Sequence, residues 1–190
     1  MILGSFGFQS GGGSGGVPPT SNYGLFSQIN NSTPVANTID EKTLLGIGIG
    51  SLVVPENTFI QGNSFHLKMC GVLNAKNNAQ LTIRLHSNGI DIANTGLLTL
   101  GTTTAKVWEM LVDFTIREVG GLGTAELLTN GAFLYDQDAS SSYEGLNFLN
   151  LDNLNFDTTI SNTLDVVAQW VLADPLNSIY SAQTILTKTF

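Results

Sequence analysis

An all-β, jelly-roll-like β-sandwich with an extended N-terminal arm is the fold this sequence predicts, and three observations predict it. Apolar and polar residues alternate with period two through most of the chain, which places one face of a strand inward and the other outward. Turn-forming clusters of Asn, Gly and Ser recur at roughly ten-residue spacing, the rhythm of a sandwich or barrel. Charged residues make up only 12% of the chain, about half the usual ~25%, and Asn, Thr, Ser and Gly take the polar positions in their place.

The alternation begins clearly at "FHLKMCGVL", where Phe65, Leu67 and Met69 oppose His66, Lys68 and Cys70. In "LTIRLHS", Leu81, Ile83 and Leu85 oppose Thr82, Arg84 and His86. The longest case is "WEMLVDFTIRE": Trp108, Met110, Val112, Phe114 and Ile116 share one face, and Glu109, Asp113, Thr115 and Arg117 fall on the other. Turns are expected at 74–80, 87–89, 94–96, 101–106, 120–123 and 137–145. "LDVVAQWVLADP" has a weak helical pattern, but Val166, Val167, Trp170 and Val171 favour strand and Pro175 closes the segment. "SIYSAQTILTKTF" alternates to Phe190. About eight main strands in two packed four-stranded sheets are expected.

Ahead of these strands the chain reads as two further parts, giving boundaries at 1–20, 21–50 and 51–190. Residues 21–50, with "GIGIG" at 46–50, read as an extended arm lying on its own sandwich or on a neighbour. Residues 1–20 join an uncharged apolar peptide, "MILGSFGF", to a Gly-rich tether. No Lys or Arg precedes Lys42, and Gly4 and Gly7 interrupt the apolar run, so this is not the pattern of a secretion signal. No window of about 20 apolar residues suits a membrane span.

The formal net charge is -8, and seven Lys and Arg are scattered singly. No basic patch collects phosphates, so neither nucleic acid nor an anionic membrane is an expected partner. Cys70 stands alone, which excludes an intrachain disulfide and reads as a small buried hydrophobe. His66 and His86 fall on outward positions of strands that could pair, without the third ligand a zinc site needs, and read as exposed sheet-face histidines. Serines are abundant, but no nucleophile-elbow pattern accompanies them. Asp136, Asp138, Ser140, Ser142 and Glu144 echo a calcium loop, yet its sixth place is Ser141 and its twelfth Asn147. Trp108 and Trp170 sit in apolar strand patterns and read as core, whereas Tyr135, Tyr143 and Tyr180 read as exposed aromatic candidates for a sugar. No catalytic, cofactor or metal residues are assigned, and a non-enzymatic protein is expected.

The stretches "STPVANT", "TLLGIGIGSLVVPENTFIQGNSFHLKMCGVLNAKNN", "WEMLVDFTIREVG", "GTAELLTNGAFLY", "FDTTISNTLDVVAQW" and "NSIYSAQTILTK" together resemble a recurrent β-sandwich domain in virion proteins of tailed bacteriophages and environmental viruses. The resemblance covers about 32–190, and "FDTTISNTLDVVAQW" and "NSIYSAQ" are its most specific pieces. It implies a virion location and a non-enzymatic structural role. Because the domain occupies nearly the whole chain, a head fibre or decoration projection is expected rather than a fibre shaft. The expected partners are capsid, collar or tail proteins and further copies of the chain, a trimer being preferred. On this reading Ile2, Leu3, Phe6 and Phe8 dock into the particle and the glycines are the tether. The alternative is a carbohydrate- or receptor-binding module of a tail fibre, with a host-surface glycan as ligand.

Overall fold

The computed structural model describes residues 23–139, 143–150 and 156–190, and among them no helix occurs. The strands in chain order are β1 (Tyr23–Gln28), β2 (Val35–Ala36), β3 (Lys42–Thr43), β4 (Gly48–Gly50), β5 (Val53–Val54), β6 (Ser64–Ala75), β7 (Ala79–Ser87), β8 (Ile90–Asn94), β9 (Leu98–Leu100), β10 (Thr103–Glu118), β11 (Glu126–Asp136), β12 (Tyr143–Asn150), β13 (Asn162–Trp170) and β14 (Ser178–Lys188). They form two antiparallel sheets. The larger runs β12-β11-β10-β6-β14-β1-β4 with β2 beside β14; the smaller runs β3-β13-β7-β8 with β5 beside β13 and β9 beside β7. The fold is thus an all-β sandwich, but its sheets hold eight and six strands among the described residues, not four each. The excess comes mainly from segment 23–54, whose short strands β1 to β5 extend the sheets at their margins.

The jelly-roll expectation can be examined pair by pair over the eight strands from β6 onward, leaving out the three-residue β9. A jelly roll pairs first with last, second with seventh, third with sixth and fourth with fifth. β6 pairs with β14, β7 with β13 and β10 with β11. The third pair, β8 and β12, touches without a hydrogen-bonded ladder, because β12 continues the β10-β11 meander instead.

Period two is visible directly in burial. β6 alternates without a break from Phe65 through Leu73 to Ala75, and on β10 Trp108, Met110, Val112, Phe114 and Ile116 are all buried. Their side chains meet Leu81, Ile83 and Leu85 of β7 and Leu164, Val166 and Trp170 of β13 in one core. Aromatic rings fill its wider end: Phe65 stacks on Phe114 at 4.8 Å, and Phe59 meets Phe65 and Phe156 edge-on at 5.9 and 5.4 Å. Both tryptophans spend their indole N–H on backbone carbonyls, Trp108 on Tyr180 at 3.1 Å and Trp170 on Val35 at 2.9 Å, which removes the cost of burying that donor. The β7–β8 hairpin turns through Asn88 and Gly89, both at positive φ (52° and 79°), the pair of left-handed residues a tight two-residue hairpin requires.

Candidate functional surfaces

The proposed docking residues Ile2, Leu3, Phe6 and Phe8 lie outside the described residues. What the structure does place is the point where the preceding chain meets the fold. Tyr23, the first described residue, opposes Lys188 at the end of the sandwich that also carries Phe190.

The two histidines do not form one site. His66 is on β6 of the larger sheet and His86 on β7 of the smaller, so the expected pairing of their strands is corrected: the short β6–β7 turn crosses between sheets. Both also have acidic neighbours. His66 Nδ1 lies 2.8 Å from Asp113 Oδ1 directly across the β6–β10 ladder, and Lys68 Nζ lies 2.9 Å from Glu109 Oε1 on the diagonal, Lys68 opposing Leu111 and Glu109 opposing Cys70. Both are cross-strand polar contacts on a solvated sheet face, and Lys68–Glu109 pairs opposite charges. The hydrogen bond and charge of Glu109 hold Lys68 above the usual lysine range.

His86 is not an exposed sheet-face histidine; only 9% of it is accessible. Its Nε2 lies 2.7 Å from Asp91 Oδ1, and its Nδ1 lies 3.8 Å from Glu41 Oε1. Arg84 joins the same group, with Nη1 2.7 Å from Glu41 Oε2 and Nε 3.5 Å from Asp91 Oδ2. The guanidinium stands between the two carboxylates that a metal ion would otherwise have to bridge. Among the described residues no group of three His, Cys, Asp or Glu is arranged to hold a metal ion. The cluster instead clamps segment 39–43 to the smaller sheet: Thr43 Oγ1 donates to Asp165 Oδ1 at 2.5 Å, and Gln169 Nε2 donates to the Ile39 carbonyl at 3.2 Å. Burial pushes the Asp165 carboxyl above the usual range, only partly opposed by the Thr43 bond.

The calcium-like loop is not assembled from the members that are described; Ser140 and Ser142 lie outside them. Asp136 opposes Tyr143 and Glu144 opposes Tyr135, so the two acids project from opposite faces of the β11–β12 pair. Asp138 is committed elsewhere. It accepts from the Thr104 backbone N–H at 3.0 Å and the Thr104 hydroxyl at 2.6 Å, which hold it below the usual carboxylate range.

Of the three tyrosines expected at the surface, Tyr135 is buried, and its hydroxyl accepts from the Gly101 N–H at 3.3 Å. It occupies the core side of β11, one residue out of phase with the exposed face. Tyr143 is 67% exposed and Tyr180 partly so. Cys70 is not a buried hydrophobe either: it is half-buried on the outer face of β6, its Sγ 3.8 Å from Gln183 Oε1.

Two surfaces went unnoticed in the sequence. One is an open depression of about 540 Å³ on the outer face of β10, β11 and β12, lined by Leu111, Asp113, Asn130, Ala132, Asn147 and Leu149. The other is the end of the sandwich where the chain enters. There Leu122 (67% exposed), Ile60 (64%) and Phe190 (62%) stand open beside Val119 and Ile160. Backbone bonds stitch their loops together: Thr158 N–H to Gly120 O at 2.9 Å, Asn57 N–H to Thr158 O at 3.0 Å, Gly62 N–H to Ile116 O at 2.7 Å and Ser64 N–H to Phe190 O at 3.2 Å. Each of these residues lies outside the strands, where period two does not signal which way a side chain points.

No protein-family model, curated protein or solved structure matches the chain.

Proposed function

We propose that this chain is a non-enzymatic structural protein of a bacteriophage virion, a head fibre or decoration projection held to the particle by its N-terminus. The observation that supports the reading is the Tyr23–Lys188 pairing, which puts the first described residue at one end of the sandwich. The sequence resemblance supplies the virion setting. Lys42, Lys68, Lys76, Arg84, Lys106 and Arg117 each lie within 4 Å of a carboxylate, which argues against a phosphate-collecting surface.

Attachment by one leader is weak. Four buried apolar side chains contribute roughly 1.5–3 kcal/mol each, while ordering each residue of the segment costs roughly 1–2 kcal/mol. Several leaders acting together gain by effective concentration, so the reading includes a homo-oligomer of cyclic symmetry, a trimer. Light scattering at micromolar concentration tests that part, and a strictly monomeric mass overturns it. Deleting residues 1–19 tests the anchor. Incorporation into particles is lost while the oligomeric state is retained; a truncated protein that decorates particles normally places the anchor elsewhere.

A second reading, a carbohydrate- or receptor-binding module, is favoured by exposed Tyr143 and by the depression that gathers Asn130, Asn147 and Asp113 beside apolar Leu111 and Leu149. Polar side chains beside apolar surface suit a sugar ring. Glycan-array binding that is lost in Tyr143→Ala and Asn130→Ala supports it; binding unchanged by both, or none, removes it.

A further inference from the structure

The end of the sandwich at which the chain enters carries an apolar patch whose occupant is suggested by what is tethered beside it. Ile60, Val119, Leu122, Ile160 and Phe190 belong to four separate segments, all brought to one pole by the bonds between loops 55–63, 119–125 and 156–161 and the C-terminus. The Thr159 hydroxyl and backbone N–H, and then the Leu122 backbone N–H, bond Asp157 and hold its carboxyl low, so the acid is engaged at the rim of the patch. Exposed apolar clusters of this kind mark contact sites.

We propose that in the free protein this pole is covered by the Met1–Phe8 segment of the same chain. The segment brings Ile2, Leu3, Phe6 and Phe8 and no charged side chain. Fourteen residues, Gln9 to Asn22, separate it from Tyr23, and a Gly- and Ser-rich tether of that length has a root-mean-square reach of about 20 Å. Tyr23 opposes Lys188, two residues from Phe190, so that reach spans the pole. The opposite pole also exposes apolar residues, Val171, Leu172 and Leu176. It lies a full length of β6 away, roughly 36 Å for the eleven steps of ~3.3 Å between its twelve residues, beyond the tether's mean reach. Tethering keeps the peptide at a high effective concentration over the near pole only. This docking needs no particle, so it stands or falls apart from the attachment proposed above. Where both hold, incorporation into a particle exchanges one apolar seat for another.

A spin label at Gln9→Cys in the full-length Cys70→Ser protein tests it by methyl NMR. Signals of Ile60, Val119, Leu122 and Ile160 are lost to paramagnetic broadening while those of Val171, Leu172 and Leu176 persist. The broadening disappears when Phe6→Glu and Phe8→Glu are added, and equally when exposed Leu122→Glu and Ile160→Glu are introduced. Equal effects at both poles, no effect at the near pole, or broadening indifferent to these changes overturns the proposal. A mixture of spin-labelled chains lacking isotope with isotope-labelled chains lacking the spin label separates the remaining occupant. Broadening transferred between chains means a second copy covers the pole, which also overturns it.

Discussion

Gln28 and Ser181 hold each other through two bonds across 153 positions of sequence: Gln28 Nε2 donates to the Ser181 carbonyl at 3.1 Å, and Ser181 Oγ donates to Gln28 Oε1 at 3.0 Å. The same Oε1 accepts from Thr184 Oγ1 at 2.8 Å and from the Gly46 N–H at 3.0 Å, and Ser181 Oγ also reaches the Leu44 carbonyl. Ser32 completes the set, its N–H donating to Ser181 O and its Oγ accepting from Ser181 N–H, both at 2.9 Å. β1, the 29–46 segment and β14 are thereby locked at one buried point.

Gln28→Leu keeps most of the volume and removes every partner at once. Each buried donor or acceptor left unmet costs about 1–3 kcal/mol. The denaturant midpoint therefore falls by the equivalent of several kcal/mol, and by less for Ser32→Ala. A midpoint within about 0.5 kcal/mol of wild type, the range of an ordinary surface change, shows that water replaces the network.

Phe114→Ala and Thr115→Ala separate the two faces of β10. Phe114 is fully buried and stacked on Phe65, so its truncation costs about 3–5 kcal/mol. Thr115 loses one hydrogen bond, to Ser64 Oγ at 2.9 Å on the outer side, worth about 0.5–1.5 kcal/mol. Equal costs in chemical denaturation contradict the assigned faces.

The same contrast explains what was legible. Period two is written into residue types, so the inward faces of β6 and β10 follow from the alternation of Phe65, Leu67 and Met69 and of Trp108 to Ile116. The His86–Asp91 contact was within reach as well: a two-residue turn at Asn88-Gly89 sets Ser87 against Ile90 and His86 against Asp91. Glu41 and Asp113 were not. They arrive through pairings of 45 and 47 residues in separation, whose register depends on the whole sheet. The pairing of the arm at 21–50 was not legible for a related reason. Its strands are two to six residues long and pair at the margins of the sheets, so too few alternations exist to fix a face.

Gly71 interrupts the apolar alternation of β6, and the β14 bulge supplies the reason. Between Ser181 and Gln183 the register slips, and the Tyr180 carbonyl closes on Gly71 so that an added Cβ would stand 1.9 Å from its oxygen. Gly71→Ala forces the two strands apart where Ser181 anchors the network around Gln28. A loss of at least 1–3 kcal/mol is expected, as for overpacking elsewhere. Wild-type stability in this variant shows that the bulge relaxes freely.

Acid separates two groups of carboxylates by sign. Asp138, Asp157 and Asp174 are held low, by Thr104, by Thr159 and by Lys76 respectively, Lys76 Nζ lying 2.6 Å from Asp174 Oδ2. A carboxylate lowered by folding stabilises above its unfolded value, about 3.9 for Asp, and that contribution is lost as pH falls through the lower folded value. Asp165 runs the other way. Burial raises its carboxyl, so the folded state favours the protonated form, and the benefit is full below the unfolded value and lost as pH rises through the folded one. Asp165→Asn retains an Oδ1 for the Thr43 hydroxyl and removes the buried charge. The variant is therefore more stable than wild type at pH 7, and the advantage fades as the solution is acidified toward about pH 3.9. Asp138→Asn shows the reverse, less stable than wild type at pH 7 and converging with it in acid. Melting both variants beside wild type across pH 3 to 7 reads the two signs. An Asp165→Asn variant that is less stable at neutral pH means that the Thr43 and Val166 hydrogen bonds to the carboxylate, with His86 beside it, outweigh the burial of Asp165, and the clamp on segment 39–43 is then held by charge rather than despite it.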